Sequence, residues 1–232
     1  MEAILTAPLL RRAGIRHGFT TRACGDVGES LAGWEGSSGL AAGRLLRLQQ
    51  VHGSDVVVID ADNRERLLSV PPPADAAATA LAGPVLSVRT ADCVPVLLAD
   101  PGRRVVAVAH AGWRGTLSGV LARLVAVLQE KFSCNPEELL AVMGPSIRPC
   151  CYQVGDDVFL PFRERFGSEA VMLAGSSQRV DLQAANRLVL TECGVPVENI
   201  AAVDLCTCCS SGFFSYRRQG RLAGRQLAFI AL

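Results

Sequence analysis

The sequence has little net charge and no long apolar run, and each absence excludes a class of protein. Its 23 Lys and Arg residues nearly balance 22 Asp and Glu residues, for a formal charge of +1. Nothing electrostatic therefore predicts a nucleic-acid or anionic-membrane partner. No stretch reaches the roughly 18 consecutive apolar residues of a membrane span. The N-terminus, MEAILTAPLLRR, places its basic pair after a short apolar run, unlike a secretory signal. We expect a cytoplasmic protein.

A separating linker is also missing. Half of the residues are hydrophobic, which supplies a large core and argues against disorder. No Pro-, Ser- or Gly-rich stretch is long enough to divide two cores, so we expect one domain over residues 1–232. Nothing in the sequence specifies an oligomer, and a monomer is the expectation.

Cysteine is common by comparison, with nine residues. The odd count and the adjacent pairs Cys150–Cys151 and Cys208–Cys209 fit poorly with a simple disulfide framework. A cytoplasmic chain keeps its thiols reduced, and we expect most of these side chains to be small and buried. Cys206, Cys208 and Cys209 suggest a metal motif but lack a well-spaced partner pair, so no second metal site is predicted.

Hydrophobic patterns predict an α/β protein with many buried strands and about four helices. Nearly continuous apolar runs predict strands covered on both faces at residues 84–90, 94–100 and 103–110. Helical spacing and stop signals predict helices at residues 116–132, 156–166 and 181–194. Residues 74–83 are interpreted as a short helix ending at Gly83, and residues 24–43 as a loop with at most one helical turn.

Cys93, His110 and His52 each lie where a predicted strand meets a turn. The chain has three histidines, so a site that uses His110 has few partners. Catalytic zinc takes three protein ligands, including thiolate and imidazole, and keeps an open position. These residues supply such a set. The spacing leaves two alternatives open. Cys93 and His110 could form a nucleophile–base dyad, although Asp92 would raise the thiol pKa, or all three could be packing residues. The third histidine, His17, is interpreted as capping a strand end.

Further residues are candidates for binding an anionic substrate. The segment AGWRGT places Gly112 and Gly115 around Arg114 between a strand and a helix, where exposed N–H groups would lie beside a cation. It is not a P-loop, because it lacks GxxxxGK[ST]. Arg22 follows two threonines and precedes a loop, where its guanidinium could face an anion. Ser146, at a strand end, could line a pocket.

The chain resembles the YfiH/laccase-domain family, a group also called multicopper polyphenol oxidase-like proteins or peptidoglycan editing factors. The matching segments span nearly the whole chain in family order. They are HGFTTR at 17–22, QVHG at 50–53, TADCVPVLL at 90–98, AHAGWRGT at 109–116, MGPSI at 143–147 with CCYQVG at 150–155, and CT at 206–207 with FFSYRR at 213–218. One departure is the Gly/Ala-rich segment 23–47, which is shorter than is usual in the family.

The resemblance implies a four-layer α/β/β/α sandwich of the YfiH type. It also implies that His52, Cys93 and His110 bind zinc and form the catalytic group. Family members use phosphate to cleave adenosine, inosine or S-methyl-5'-thioadenosine to the base and ribose 1-phosphate, and they also deaminate adenosine. We therefore expect a purine nucleoside phosphorylase whose partners are small molecules, with Arg22, Arg114 and the turn at Gly112 and Gly115 holding phosphate.

Two other activities are alternatives. One is a peptidoglycan-editing hydrolase acting on a wrongly built UDP-muramoyl amino acid. The other is a copper polyphenol oxidase, but a multicopper oxidase needs on the order of ten histidine ligands, because imidazole is the side chain that suits copper. Three histidines cannot supply that set. A single Cu²⁺ could still occupy the proposed zinc site, since copper outcompetes zinc at most such sites. A metal-stabilised protein without catalytic activity is the non-enzymatic alternative.

Overall fold

Thirteen strands and eight α-helices make up the computed structural model, which describes residues 1–232. The strands are β1 Ile4–Leu5, β2 Arg16–Thr20, β3 Leu45–Leu46, β4 Val56–Ile59, β5 Ala76–Thr79, β6 Val85–Thr90, β7 Val94–Asp100, β8 Val105–Ala111, β9 Leu140–Met143, β10 Val171–Ala174, β11 Ser177–Val180, β12 Ile200–Ala202 and β13 Gln226–Ala231. The helices are α1 Pro8–Arg12, α2 Ala32–Ser38, α3 Arg64–Ser69, α4 Trp113–Leu117, α5 Val120–Phe132, α6 Asp156–Phe166, α7 Leu182–Glu192 and α8 Tyr216–Gln219.

Two mixed sheets stack face to face. One has the strand order β1-β2-β13-β6-β3, and the other has the order β12-β9-β7-β8-β5-β4. β10 and β11 form a separate hairpin. Because successive side chains of a strand point to opposite faces, each central strand supplies two hydrophobic layers. In β8, Val106 and Val108 pack between the sheets, whereas Val105 and Ala107 face the helices.

The hydrophobic clusters confirm the four-layer sandwich. A cluster of 19 buried residues fills the space between the sheets, and one of 33 joins the six-stranded sheet to α5, α6 and α7. A smaller cluster of 8 covers the outer face of the five-stranded sheet and includes the fully buried Trp34 of α2. The buried strands predicted at 84–90, 94–100 and 103–110 are confirmed as β6, β7 and β8. No helix combines the length and the apolar composition needed to cross a bilayer.

Several local predictions were wrong. Residues 74–83 do not form a helix, because Ala76–Thr79 pair with β4 on one side and with β8 on the other, and all four residues are buried. Sheet pairing here overrides the helical propensity of alanine. Residues 24–43 contain the seven-residue helix α2, held by the burial of Trp34. The helix predicted at 116–132 is two helices, since Gly119 adopts a φ of 78° between them. The chain has eight α-helices instead of about four.

Candidate metal centre

Two turns and the end of a strand, from different parts of the chain, bring His52, Cys93 and His110 together. Cys93 lies in the connection between β6 and β7, where the chain crosses from one sheet to the other, and His110 lies near the end of β8. His52 lies in the turn that precedes β4. The ligand atoms of the three residues all lie within 4.8 Å of one another. The centroids of the two imidazole rings are 4.9 Å apart. Two imidazoles and one thiol are the donor set that zinc accepts, so the group fits a metal ion.

A buried carboxylate, Asp75, holds both histidines. Its Oδ1 lies 2.8 Å from Nδ1 of His110, and its Oδ2 accepts hydrogen bonds from the backbone N–H of Gly53 and of Val51 at 2.7 and 3.1 Å. The backbone N–H of His110 also donates to the carbonyl of Asp75 at 2.7 Å. Asp75 therefore fixes the His52 turn and directs Nε2 of His110 away from the carboxylate. Such an outer carboxylate is the usual partner of a metal-binding histidine.

Asp75 was missed in the sequence because it lies in the segment misread as a helix. Asp75 lies immediately before strand β5, which pairs with β8, and an acidic residue at a strand end is a candidate site residue. Assigning residues 74–83 to a helix hid this position.

The charges of the site favour a thiolate. Burial raises the pKa of the Cys93 thiol, but the positive charge of His110 and hydrogen bonds from His110 and His52 outweigh burial and lower that pKa. Burial lowers the pKa of His110, yet the Cys93 thiolate and the Asp75 carboxylate outweigh it and raise that pKa. Asp92, expected to raise the thiol pKa, turns its carboxylate towards Thr207, Ser215 and the N–H of Arg217.

The candidate ligand His52, and Asp92 beside the candidate ligand Cys93, have left-handed backbone conformations. His52 has a φ of 60° and Asp92 a φ of 98°. A non-glycine residue in this region costs on the order of 1–3 kcal/mol and persists where surrounding contacts enforce it. Asp75 supplies those contacts for the His52 turn. For Asp92 they come from three hydrogen bonds to its carboxylate, at 2.6 to 3.0 Å.

A cavity of about 820 Å³ adjoins the three residues and is lined by all of them. Its wall also carries four arginines, Arg89, Arg114, Arg217 and Arg225. Aromatic side chains complete it: Trp113, Tyr152 and Tyr216. Burial and the nearby charge of Cys93 raise the pKa of the Tyr152 phenol, so this hydroxyl remains a hydrogen-bond donor at neutral pH.

The predicted substrate residues differ in where they lie. Arg114 lines the cavity, with its guanidinium carbon 4.1 Å from the centre of the Trp113 ring. Arg22 lies over Phe214 at 4.8 Å, and neither it nor Ser146 lines the cavity. Ser146 is fully buried, and its Oγ accepts a hydrogen bond from Gln183. A substrate role for Arg22 and Ser146 stays a prediction that their positions do not support.

Gly112 and Gly115 provide space beside the metal-binding group. A Cβ on Gly112 would lie 2.9 Å from Sγ of Cys93 and 3.3 Å from His52, and a Cβ on Gly115 would lie 3.1 Å from the Gly53 carbonyl. The two glycines thus allow α4 to approach both ligand turns. Their predicted contact with phosphate remains a prediction. Sequence reasoning missed Arg89, Arg217 and Arg225, because their three segments meet only in the folded chain.

The fold and site define a class: an α/β/β/α sandwich with a two-histidine, one-cysteine group in a cavity rich in arginine. Residues 16–232 match the family model described as multi-copper polyphenol oxidoreductase laccase. The chain belongs to this family, which implies metal binding.

Solved structures and characterised relatives agree. The chain superimposes on YfiH of Bacillus licheniformis with a TM-score of 0.90 at 27% identity, covering 100% of this chain and 97% of that one. It superimposes on YlmD of Geobacillus stearothermophilus with a TM-score of 0.85 at 29% identity, covering 100% and 99%. In sequence it is 36% identical to the purine nucleoside phosphorylase YlmD of that organism, over 81% of this chain and 72% of the relative. It is 38% identical to the adenosine deaminase RL5 of an unknown prokaryotic organism, over 80% and 74%. These relatives are named as enzymes that act on small molecules.

Proposed function

We propose that this protein is a zinc-dependent purine nucleoside phosphorylase that converts adenosine, inosine or S-methyl-5'-thioadenosine and phosphate into the base and ribose 1-phosphate. A deaminase activity on adenosine accompanies it. The observation that carries the proposal is the presence, in one cavity, of the His52–Cys93–His110 group and four arginines, none of which forms an ion pair with an acidic side chain. Relatives named as a phosphorylase and as a deaminase support it.

His52, Cys93 and His110 would hold the zinc ion. A bound zinc ion supplies Lewis acidity to the cavity. Cys93 contributes a thiolate, and His110 contributes the nitrogen that Asp75 leaves free. The same positions of His52, Cys93 and His110 would also fit a metal-free enzyme in which Cys93 and His110 form a nucleophile–base dyad. Measuring the metal content of the protein decides between the zinc site and the dyad.

Arg89 and Arg114 are the cations best placed to bind phosphate. Neither guanidinium forms an ion pair with an acidic side chain, whereas Arg217 and Arg225 donate to backbone carbonyls. Burial and the nearby charges of Arg225 and Arg47 lower the pKa of Arg89, and four arginines line the cavity. Such a concentration of positive charge attracts an anion, and a guanidinium pairs with phosphate oxygens through two parallel hydrogen bonds.

Phosphate binding lets these residues assist cleavage of the glycosidic bond. Positive charge developing on the ribosyl group would be attracted by the phosphate that Arg89 and Arg114 hold in place. Trp113 and Tyr216 line the cavity, and their rings would stack on the purine. Tyr152, with its phenol protonated, can donate a hydrogen bond to the substrate.

Incubation of the purified protein with inosine and phosphate tests the proposal. Ribose 1-phosphate and hypoxanthine should form, and neither should appear without phosphate. Arg114→Met should raise the KM for phosphate more than it lowers kcat, and Arg22→Met, outside the cavity, is the matched control. Absence of phosphorolysis in a zinc-loaded sample would refute the proposal. Hydrolysis of a UDP-muramoyl amino acid in the same sample would favour the editing activity instead.

A further inference from the structure

Four cysteine side chains meet outside the cavity. Cys150 and Cys151 lie in the turn after β9, and Cys206 and Cys209 lie in the turn after β12. Their sulfur atoms all lie within 4.8 Å of one another, and those of Cys150 and Cys209 are 3.8 Å apart. None of the four lines the cavity that holds the first metal group.

Spacing in the sequence predicts no partner pair for these cysteines, whereas the structure brings Cys150 and Cys151 next to Cys206 and Cys209. The Cys-x-x-Cys unit is Cys206 to Cys209, and its partner is the adjacent pair Cys150–Cys151. Cys208 is outside the group. The expectation that most cysteines are buried was also wrong, because only Cys24 and Cys134 are buried. Cys150 and Cys209 are exposed, so an ion in solution can reach them.

The arrangement matches a tetrahedral thiolate site. A Zn–S bond of about 2.3 Å places neighbouring sulfurs about 3.8 Å apart across a tetrahedron. The Cys150–Cys209 separation equals this value, and all the other sulfur pairs lie within 4.8 Å. We propose that Cys150, Cys151, Cys206 and Cys209 bind a second, structural zinc ion, distinct from the one at His52, Cys93 and His110.

Backbone N–H groups point at one of the proposed ligands. The N–H of Arg148 donates to Sγ of Cys206 at 3.4 Å. The backbone N–H groups of Cys208 and Cys209 also donate to this sulfur. Several N–H donors on one sulfur stabilise its thiolate form, the form that binds a metal.

Three arginines surround the two cysteine turns. Arg179 donates to carbonyls of residues 149–150, and Arg217 donates to those of Cys151 and Gln153. Arg218 donates to the carbonyls of Thr207, Cys208 and Ser210. Zinc with four thiolates carries a net charge of about −2, and these guanidinium groups offset that charge while they fix the turns.

The second ion would stabilise one wall of the cavity. Tyr152 and Arg217, which line the cavity, flank the cysteine turns. In the other turn, Thr207 donates to Oδ1 of Asp92 at 2.7 Å, and Asp92 precedes Cys93. A zinc ion that joins the two turns therefore holds this wall without contacting the substrate.

Zinc analysis of the full chain, purified under reducing conditions, tests the proposal. The wild type should contain about two zinc ions per chain. The double variant Cys150→Ser/Cys209→Ser should contain about one, and so should the single variant Cys93→Ala. Cys208→Ser, in the same turn but outside the group, should retain both. Cobalt substitution adds a second measurement: most of the thiolate-to-cobalt absorption should survive in Cys93→Ala, and only the weaker band from the single Cys93 thiolate should remain in the double variant.

Three outcomes would overturn the second site. They are a wild type whose single zinc ion is lost in Cys93→Ala but kept in the double variant, a double variant that keeps both ions, and iron in place of zinc at the four cysteines. If the double variant does not fold, the single variant Cys209→Ser replaces it in the zinc analysis. In addition, a chelator should release zinc from the wild type in two phases, one for each site. A single release phase would count against the proposal.

Discussion

Asp75→Asn separates the role of the outer carboxylate from that of the metal ligands. The substitution keeps the shape of the side chain but replaces one acceptor oxygen by an NH₂ donor. Asp75 accepts from three N–H groups, those of His110, Gly53 and Val51. Burial raises its pKa, but the His110 hydrogen bond and the backbone donors outweigh burial and lower it. The wild-type side chain is therefore an anion.

Neither orientation of the asparagine amide satisfies the site. With NH₂ towards His110, the imidazole has to place its proton on Nε2, the nitrogen needed by the metal. With NH₂ towards the turn, the N–H groups of Gly53 and Val51 lose their acceptor. The first orientation weakens zinc binding directly, and changes to such outer partners cost about 10- to 100-fold in metal affinity. The second leaves buried donors unpaired, at about 1–3 kcal/mol.

Competition with a chromogenic chelator gives the zinc Kd, and urea unfolding of the metal-free protein gives the stability. We expect Asp75→Asn to raise the Kd by about 10- to 100-fold. Asp100→Asn is the matched control, because Asp100 is also buried but lies at the far end of β7. It should leave the Kd unchanged. A folded Asp75→Asn variant with the wild-type Kd would refute the reasoning.

Three further changes test neighbouring features. Gly112→Ala should lower zinc affinity with little loss of the fold, since the added methyl lies 2.9 Å from Cys93 Sγ; chelator competition measures it, and unchanged affinity would show that α4 can shift. His52→Asn should abolish zinc binding at the first site without lowering the urea stability of the metal-free protein, because asparagine tolerates a φ of 60°. His17 accepts from the N–H of Ala7, and burial lowers its pKa. The neutral form is the folded one, so its contribution is present above about pH 6.5 and is lost as the pH falls towards the lowered pKa. The Tm of the wild type should consequently fall more steeply below that pH than the Tm of His17→Gln, and equal slopes would contradict this.

The sequence correctly predicted the buried central strands. The prediction failed at residues 74–83, where pairing with neighbouring strands determines the secondary structure. Apolar runs predicted β6, β7 and β8, because a strand covered on both faces has a nearly continuous hydrophobic sequence. The segment Ala76–Thr79 lacks this signal, since alanine is found in helices as well as in closely packed strands. Because of that error, Asp75 was not predicted as a residue of the metal centre. The interpretation of His17 as a capping residue is confirmed, with both ring nitrogens bonded to backbone groups.

The candidate site divides in the same way. Motif resemblance singled out His52, Cys93 and His110, which the structure brings together. Spacing could not find the other arginines of the cavity or the pairing of Cys206 with Cys150, because loops separated by more than 50 residues meet only through tertiary contacts. Ser146 shows the opposite failure. It lies within a motif and looks accessible in the sequence, yet packing makes it fully buried.

Two buried carboxylates explain why three ligands from separate segments of the chain form one site. Asp75 joins the turn of His52 to the strand end that carries His110. Asp92 ties the turn of Cys93 to residues 207–217. Each carboxylate forms three hydrogen bonds, and hydrogen bonds to a charged group contribute about 1.5–3 kcal/mol apiece. This exceeds the cost of the left-handed conformations at His52 and Asp92. The ligand positions are thus fixed by the fold before any ion binds, so zinc affinity should depend on these two aspartates as well as on the ligands.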